Sequence, residues 1–317
     1  MKNQNIFFAS ILGLQIFISI ILFFSEKDSF DTSVDKDYFK ISDTEKIDKV
    51  IMTTSKNSIE LSFLNNQWLV NKNYLADYRL IEVLFATMQQ ISTRRPVSIA
   101  KQDSVVEILN KTGTKVVFLE GDKTKLEFLA GGNSDKTESW FLKTEEKQPY
   151  IMTIHGYHVY VSGIFELDIN GWRNKRIFDF DWRGFKSLST VIKSDSSLNF
   201  DVEMKKGKIN IVQIKNVDLE KVNTYLDDLS LLFASRFVDY NTSSIDSLVK
   251  NRPISVIIKI KDRSDGVYYL EILESIEQDK EIYAVFNQTQ TMAIDKSEAR
   301  KVLKGRNYFV KNEGAKN

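Results

Sequence analysis

The chain has 317 residues, 42% of them hydrophobic, which is enough for about two ordinary domains with apolar cores. The 44 Lys and Arg residues nearly balance the 43 Asp and Glu residues, so no net basic field draws in nucleic acid, and we expect no nucleic-acid partner. The absence of cysteine excludes disulfides, thiolate metal sites, iron–sulfur clusters, thiol nucleophiles and a lipid-modified cysteine.

An uncharged run, IFFASILGLQIFISIILFF, occupies residues 6–24. Its length is close to the roughly 20 residues that a helix needs to cross a bilayer core, and it is longer than the ~7–15-residue apolar region of a secretory signal peptide. We therefore predict that residues 1–24 form an uncleaved, single-pass anchor in the cytoplasmic membrane. A cleaved signal peptide and a buried core helix are the alternatives.

The charges around this run predict its orientation. Lys2 and the amino terminus precede it, whereas acidic residues dominate the segment that follows. The positive-inside bias then places the amino terminus in the cytoplasm and the rest of the chain outside. Residues 25–46 are predicted to be a polar juxtamembrane linker.

Residues 47–182 are predicted to form a first α+β unit. SIELSF alternates Ile59, Leu61 and Phe63 with polar residues, which is the period-two pattern of a half-buried strand. NNQWLV then predicts a turn and a second strand with Trp68 and Val70 facing inward. Asp77 is predicted to cap a helix with Leu80, Leu84, Met88 and Ile91 on its inward face, and a shorter helix is predicted near residues 104–111.

Residues 183–310 are predicted to repeat this unit, because the pattern returns when the sequence is shifted by about 141 residues. In this alignment Val50 is aligned with Val191, Ile59 with Phe200, and YIMTI at 150–154 with QTMAI at 290–294. The second main helix would begin near Asp218 and bury Leu219, Val222, Leu226, Leu229 and Phe233, with a shorter helix near 244–250. We interpret this as two tandem α+β units, each an antiparallel sheet packed on helices, followed by a polar tail at 311–317.

A basic and aromatic segment lies between the two predicted units. Trp172, Arg173, Lys175 and Arg176 occur together in WRNKRIF, and they are the candidate residues for an anion site or a partner contact. The alternative is a linker whose aromatic residues pack while its charges face water.

No motif in the chain predicts a chemical reaction. His155 and His158 are three residues apart but lack a surrounding metal-site pattern, so ordinary surface or packing histidines are expected. LAGGN at 129–133 lacks the sequence of a phosphate-binding loop and is predicted to be a hairpin turn. The acidic pairs Asp227–Asp228 and Asp179/Asp181 fit a solvated helix face and a strand. We predict no catalytic residue, no cofactor and no metal.

These patterns together resemble a bacterial family, domain of unknown function 4340 (DUF4340). The similarity lies in the apolar amino-terminal run, in SIELSFLNNQWLVNKNYLADYRLIEVLFATMQQISTRRPV, in the helix before KVVFLEGD, and in ESWFLKTEEKQPYIMTI and WRNKRIFDFD. It covers most of residues 45–185 and extends more faintly into the second unit. One departure is ILNKTG at 108–113, where many members have a YGL turn.

Members of this family look like partners of bacterial ABC transport systems related to those of gliding motility. The resemblance therefore implies a non-catalytic accessory subunit at the bacterial inner membrane, with most of the chain in the periplasm and with permease and ATPase subunits as partners. One alternative is an independent extracytoplasmic module that binds a small ligand or cell-wall glycan in a concave pocket between the two units, lined by Trp68, Trp140 or Trp172. Another alternative is a hydrolase with an unfamiliar site.

Overall fold

The computed structural model describes residues 34–180, 182–238, 249, 251–276 and 279–311. The predicted anchor at residues 6–24 lies outside these ranges. Among the residues that are described, no helix combines the length and apolar character needed to cross a membrane. The predicted α+β class is confirmed, with two antiparallel sheets and few helices.

The first sheet has nine strands in the order β4-β3-β2-β1-β6-β7-β8-β9-β5. Its strands are β1 Lys49–Thr53, β2 Ser58–Leu64, β3 Gln67–Val70, β4 Tyr74–Leu75, β5 Ile91–Pro96, β6 Thr114–Glu120, β7 Lys123–Gly132, β8 Ser139–Lys143 and β9 Tyr150–Ile154. Helix α1 spans Tyr78–Gln90 and helix α2 spans Ile99–Thr112.

The second sheet has eight strands in the order β12-β11-β10-β14-β15-β16-β17-β13. Its strands are β10 Phe185–Ile192, β11 Phe200–Lys205, β12 Lys208–Ile211, β13 Arg236–Phe237, β14 Ile254–Asp262, β15 Val267–Leu273, β16 Glu281–Phe286 and β17 Gln290–Asp295. The helices here are α3 Ile169–Trp172, α4 Leu219–Ser230 and α5 Lys296–Val302.

The chain forms two compact units. The first contains the described residues up to Phe63 together with Ile81–Glu166, and the second contains Leu64–Leu80 together with the described residues from Leu167 onward. The core of the second unit lies between its sheet and α4, where Val202, Tyr225 and Ile258 are at most 1% exposed. Segment 64–80 thus belongs with residues far from it in sequence.

The two sheets share one strand order. Without β4, the first sheet reads β3-β2-β1-β6-β7-β8-β9-β5, and each strand has a counterpart at the same position in the second sheet. Helix α1 precedes β5 as α4 precedes β13. Buried Ile59 and Leu61 correspond to buried Phe200 and Val202, as the sequence alignment predicts.

The predicted match of Val50 with Val191 is wrong. Val50 pairs with Leu61, whereas the equivalent Val202 pairs with Leu188, so Leu188 is the counterpart of Val50. The reason is a longer connection between β10 and β11, which contains a 3-10 turn at Ser196–Leu198. A single alignment offset cannot accommodate this insertion.

Both predicted helix starts are confirmed by their caps. The Asp77 carboxylate accepts a hydrogen bond from the Arg79 amide at 3.0 Å, and the Asp218 carboxylate accepts one from the Lys221 amide at 3.3 Å. On α1, Leu84 and Met88 are buried as predicted, whereas Ile81 and Thr87 complete the buried face in place of the half-buried Leu80. Ile91 is buried too, but as the first residue of β5.

The predicted inward face of α4 needs correction at both ends. Leu219 is 54% exposed because it is the first helical residue, and a helical side chain points back toward the amino-terminal side of its own turn. The helix ends at Ser230, so Phe233 lies beyond it. Phe63 is also exposed, although its amide donates a hydrogen bond to the Asp48 carbonyl oxygen at 2.8 Å.

The predicted hairpin turn at residues 129–133 is displaced. Gly131 and Gly132 lie within β7, and the turn begins at Asn133, whose side-chain oxygen accepts hydrogen bonds from the amides of Thr137 and Glu138 at 2.9 Å. A Cβ atom on Gly132 would lie only 2.3 Å from the Glu138 carbonyl oxygen. The glycine is therefore required by close packing in a strand and not by a turn.

Candidate functional site

The candidate segment begins at the short helix α3. The Asp168 carboxylate caps this helix by accepting a hydrogen bond from the Gly171 amide at 2.6 Å. The helix ends at Trp172, whose side chain is fully buried. From there the chain is extended, because Arg173 adopts β dihedral angles.

One side of this extended segment pairs with the chain after β3. The Trp172 carbonyl oxygen accepts a hydrogen bond from the Asp77 amide at 2.8 Å, and the Asn174 amide donates to the Leu75 carbonyl oxygen at 2.8 Å. An isolated antiparallel bridge joins Ala76 and Arg173. The segment therefore continues the strand pairing at β4.

The other side pairs with the chain after α4. The Ala234 amide donates to the Lys175 carbonyl oxygen at 2.8 Å, and the Ile177 amide donates to the Leu232 carbonyl oxygen at 3.0 Å. Arg176 adds a side-chain bond from Nε to the Ser230 carbonyl oxygen at 3.1 Å. Hydrogen bonds on both sides make this segment an integral part of the second unit.

Arg173 is buried despite its charge, with 8% of its surface exposed. Its guanidinium carbon Cζ lies 3.8 Å from the centroid of the Tyr74 ring and 3.6 Å from that of the Phe237 ring. Nη1 donates a hydrogen bond to the side-chain oxygen of Asn170 at 3.1 Å. Burial lowers the pKa of Arg173, but an arginine starts so high that it remains protonated.

No carboxylate among the described residues forms an ion pair with Arg173, and its one hydrogen bond there is the bond to Asn170. A guanidinium has five N–H donors, and the two aromatic rings contribute cation–π attraction without accepting conventional hydrogen bonds. Most of the donors of Arg173 therefore have no acceptor in the described part of the chain.

A cavity of about 240 Å³ opens beside this guanidinium, and we call it the Arg173 cavity. It is lined by Asn73, Tyr74, Leu75, Arg173, Asn174, Arg176, Ile177, Asp179, Tyr268, Phe286 and Gln290. Asp179 is the one carboxylate among the described residues of the lining. It accepts a hydrogen bond from Asn174 Nδ2 at 2.8 Å and lies 3.8 Å from Arg176 Nη1, so it offsets Arg176 and not Arg173.

A second cavity of about 440 Å³ lies over the sheet and α4 of the same unit. Its apolar lining comes from Trp182, Phe185, Met204, Ile209 and Leu226, with Asn223, Asp227 and Ser230 completing it. The indole nitrogen of Trp182 is buried and has no hydrogen-bond partner among the residues that the structure describes. Within the described part of the chain, this lining has one carboxylate and no basic residue, so it has no counterpart to the two guanidinium groups of the first cavity.

A family model described as "Domain of unknown function (DUF4340)" matches residues 68–250, which is more than half of the chain. The chain belongs to this family. No curated protein and no solved structure matches it. The DUF4340 match begins in β3 and includes the whole segment from α3 to Asp179, together with Tyr74 and Phe237, which contact Arg173.

Within the DUF4340 match, the structure separates the four candidate residues by their surroundings. Trp172 is wholly buried and belongs to the core, Arg173 is buried against two rings, and Lys175 and Arg176 are half-buried. Arg173 and Arg176 meet in one cavity, whose lining does not include Trp172 or Lys175. The aromatic residue packs as the linker interpretation expects, but Arg173 is buried against two rings instead of lying exposed on the surface.

Sequence reasoning missed Tyr74, Phe237, Asn73 and Gln290 as parts of this site. Tyr74 and Phe237 lie far apart in the chain and come to Arg173 from strands β4 and β13. No local pattern distinguishes them from ordinary strand residues. Only the pairing of segment 172–177 with both neighbours brings them together.

The ligand-binding alternative places its tryptophan pocket between the units, and it stays a prediction because both cavities lie within the second unit. Trp140 is 8% exposed and its indole nitrogen donates to the Glu138 carboxylate at 3.3 Å, which fits a core residue with a satisfied polar edge. Neither cavity is lined by Trp68, Trp140 or Trp172. Trp182 lines the second cavity.

Ionisable groups elsewhere form structural pairs away from both cavities. The Tyr38 hydroxyl donates to the Glu146 carboxylate, and this bond, together with burial, raises the pKa of Tyr38 to about 12. His155 lies in the turn after β9 and His158 in the irregular segment that follows, and both are exposed. In the ranges that the structure describes, no group of three or more His, Asp or Glu side chains is placed to hold a metal ion.

Proposed function

We propose that this DUF4340 protein is a non-catalytic accessory subunit of an ABC-type transport complex, anchored in the bacterial inner membrane with its body in the periplasm. The observation that carries the proposal is the uncharged run at residues 6–24, followed by a polar linker. The resemblance described above adds support, because members of the family look like partners of ABC transport systems whose permease and ATPase are separate chains.

The two sheets are proposed to be copies of one duplicated α+β unit. The support is their common strand order, with one main helix at the same position in each copy. Such a body has sheet edges, and an exposed strand edge readily pairs with a strand of another chain. Strand β12 lies at one edge of the second sheet and is the segment that we propose for contact with a partner subunit.

The accessory role is tested by gentle detergent extraction of native membranes, crosslinking through this protein and identification of the proteins that copurify. Recovery of a permease and its ATPase in a fixed ratio would support the proposal. Recovery of this protein alone would overturn it and favour the alternative, an independent binding module.

The anchor has its own test in the double variant Leu14→Arg/Ile18→Arg. Each arginine near the centre of a membrane helix costs about 2.5–3.5 kcal/mol on insertion scales, so the variant should leave the membrane fraction. The matched control, Leu14→Val/Ile18→Val, should remain there. The periplasmic placement is tested with a reporter that is active only in the cytoplasm, fused after Asn317. Activity of this fusion would refute the placement.

A further inference from the structure

We propose that the Arg173 cavity binds the carboxylate or phosphate group of a small organic anion. The inference goes beyond the accessory role, because it assigns a ligand site to the second unit whichever proteins surround it. Its basis is a buried guanidinium that faces a cavity and has no carboxylate partner among the described residues.

The charge at this position requires compensation. Removing a guanidinium from water costs several kcal/mol in effective terms, and proteins usually offset that cost with a carboxylate and a full set of hydrogen bonds. Tyr74 and Phe237 supply part of the compensation through cation–π contacts. Asn170 accepts one hydrogen bond, so an anion in the cavity would supply the remaining charge and acceptors.

The chemistry of the donors favours a planar or tetrahedral oxyanion. A guanidinium presents its N–H groups as a rigid fork that matches two oxygens of a carboxylate or phosphate. Arg176 brings a second guanidinium to the same cavity. Asp179 is the one carboxylate among the described lining residues, so within that set the two cations exceed the anions by one.

The remaining lining limits the size and character of the ligand. The side-chain amides of Asn73 and Gln290 make no hydrogen bond to another described residue, so both are available to a polar ligand group. Tyr268 and Phe286 offer aromatic surface on the same cavity. The volume of about 240 Å³ suits an acidic group on one small ring or short chain.

Binding is measured by isothermal titration calorimetry of the full chain in a non-ionic detergent and a low-chloride buffer. The probes are inorganic phosphate and benzoate, two small molecules that represent the phosphate and the carboxylate group. We expect saturable binding of at least one probe to a single site. Binding of phosphate alone would assign a phosphoryl group to the ligand, and binding of benzoate alone would assign a carboxylate.

Variants distinguish a binding site from an arginine that only packs. Arg176→Gln removes the second cation without disturbing the rings around Arg173, and we expect it to weaken binding at least tenfold. Arg173→Lys keeps the positive charge but loses the two parallel N–H donors of the guanidinium, so it should weaken binding further. Asn73→Ala, at the exposed rim, should give a smaller loss.

Arg79→Gln is the matched control. Arg79 belongs to the same unit, is exposed and lies 5.8 Å from the Phe233 ring, and its loss changes the net charge as Arg176→Gln does. It should leave the affinity unchanged. The proposal is overturned if neither probe binds saturably at millimolar concentrations, or if Arg176→Gln and Arg79→Gln bind the probe as the unchanged chain does. Neither result depends on a transporter, so these experiments test the ligand site independently of the accessory role.

Discussion

The amide of Asp77 donates a hydrogen bond to the carbonyl oxygen of Trp172 at 2.8 Å, which ties the residue that caps α1 to the residue that ends α3. The Trp172 side chain lies wholly inside the second unit. One residue later, Arg173 contacts Tyr74 and Phe237. The placement of Trp172 therefore determines where the Arg173 guanidinium lies.

Trp172→Ala is expected to lower the free energy of unfolding by about 3–5 kcal/mol, because it removes a fully buried aromatic side chain and leaves a void. The measurement is urea denaturation followed by circular dichroism. Leu231→Ala is the control, since Leu231 is 58% exposed and its loss should change the free energy by less than about 0.5 kcal/mol. Equal losses for the two variants would contradict the central position of Trp172.

Asp77→Ala is expected to cost about 1 kcal/mol of stability, because it removes the side-chain acceptor of the Arg79 amide at the start of α1. Asp77→Asn keeps an oxygen at the same position and should stay close to the unchanged chain. Thermal unfolding of the three proteins in parallel separates these outcomes. If the asparagine variant loses as much as the alanine variant, the carboxylate acts through its charge and not as a cap.

Gly132→Ala is expected to destabilise the first unit by about 1–3 kcal/mol through overpacking. The added carbon would lie 2.3 Å from the Glu138 carbonyl oxygen and 2.4 Å from a ring carbon of Tyr160. Gly184→Ala is the matched control, because a Cβ atom there meets nothing within 4 Å. The measurement is the melting temperature of the two variants and the unchanged chain. If Gly132→Ala does not lower the melting temperature, β7 does not approach residue 138 so closely.

Asp279→Asn is expected to lower stability at pH 7 by about 1.5–3 kcal/mol, because it weakens the charge-assisted hydrogen bonds from Arg252. Both side chains are largely buried, with 16% of Arg252 and 12% of Asp279 exposed. Asp265→Asn is the control, because it removes the carboxylate of an exposed ion pair. Asp265 lies 3.4 Å from Lys186 and its side chain is 89% exposed. That variant should differ by less than about 0.5 kcal/mol.

The pH dependence of the Asp279→Asn effect follows from the same contact. The hydrogen bond from Arg252 is the main cause that lowers the pKa of Asp279 in the folded chain. The extra stability is therefore complete above the unfolded pKa of about 3.9 and is lost as the pH falls through the lower folded value. Urea titrations from pH 7 to pH 3 should show a constant difference from Asp279→Asn down to about pH 4, and then a shrinking one. A difference that persists undiminished to pH 3 would contradict this assignment.

Local patterns in the sequence predicted much of the secondary structure correctly. The alternation at Ile59 and Leu61 placed a strand, and Asp77 and Asp218 marked two helix starts, because strand alternation and helix capping depend on residues close together in the chain. The equivalence of the two sheets could also be predicted in outline. The counterpart of Val50 could not be predicted. The longer connection before β11 shifts which residues pair, but it leaves the alternation of apolar and polar residues unchanged.

The sequence by itself determined that a compact basic and aromatic segment stands at residues 172–176, and it supplied the apolar run at 6–24 on which the membrane proposal rests. Only the tertiary structure decided which of those residues could meet a ligand. Arg173 contacts Tyr74 and Phe237 because residues 172–177 pair with the chain after β3 on one side and with the chain after α4 on the other. Those pairings join residues distant in sequence, and no local preference of the backbone or side chains specifies such partners.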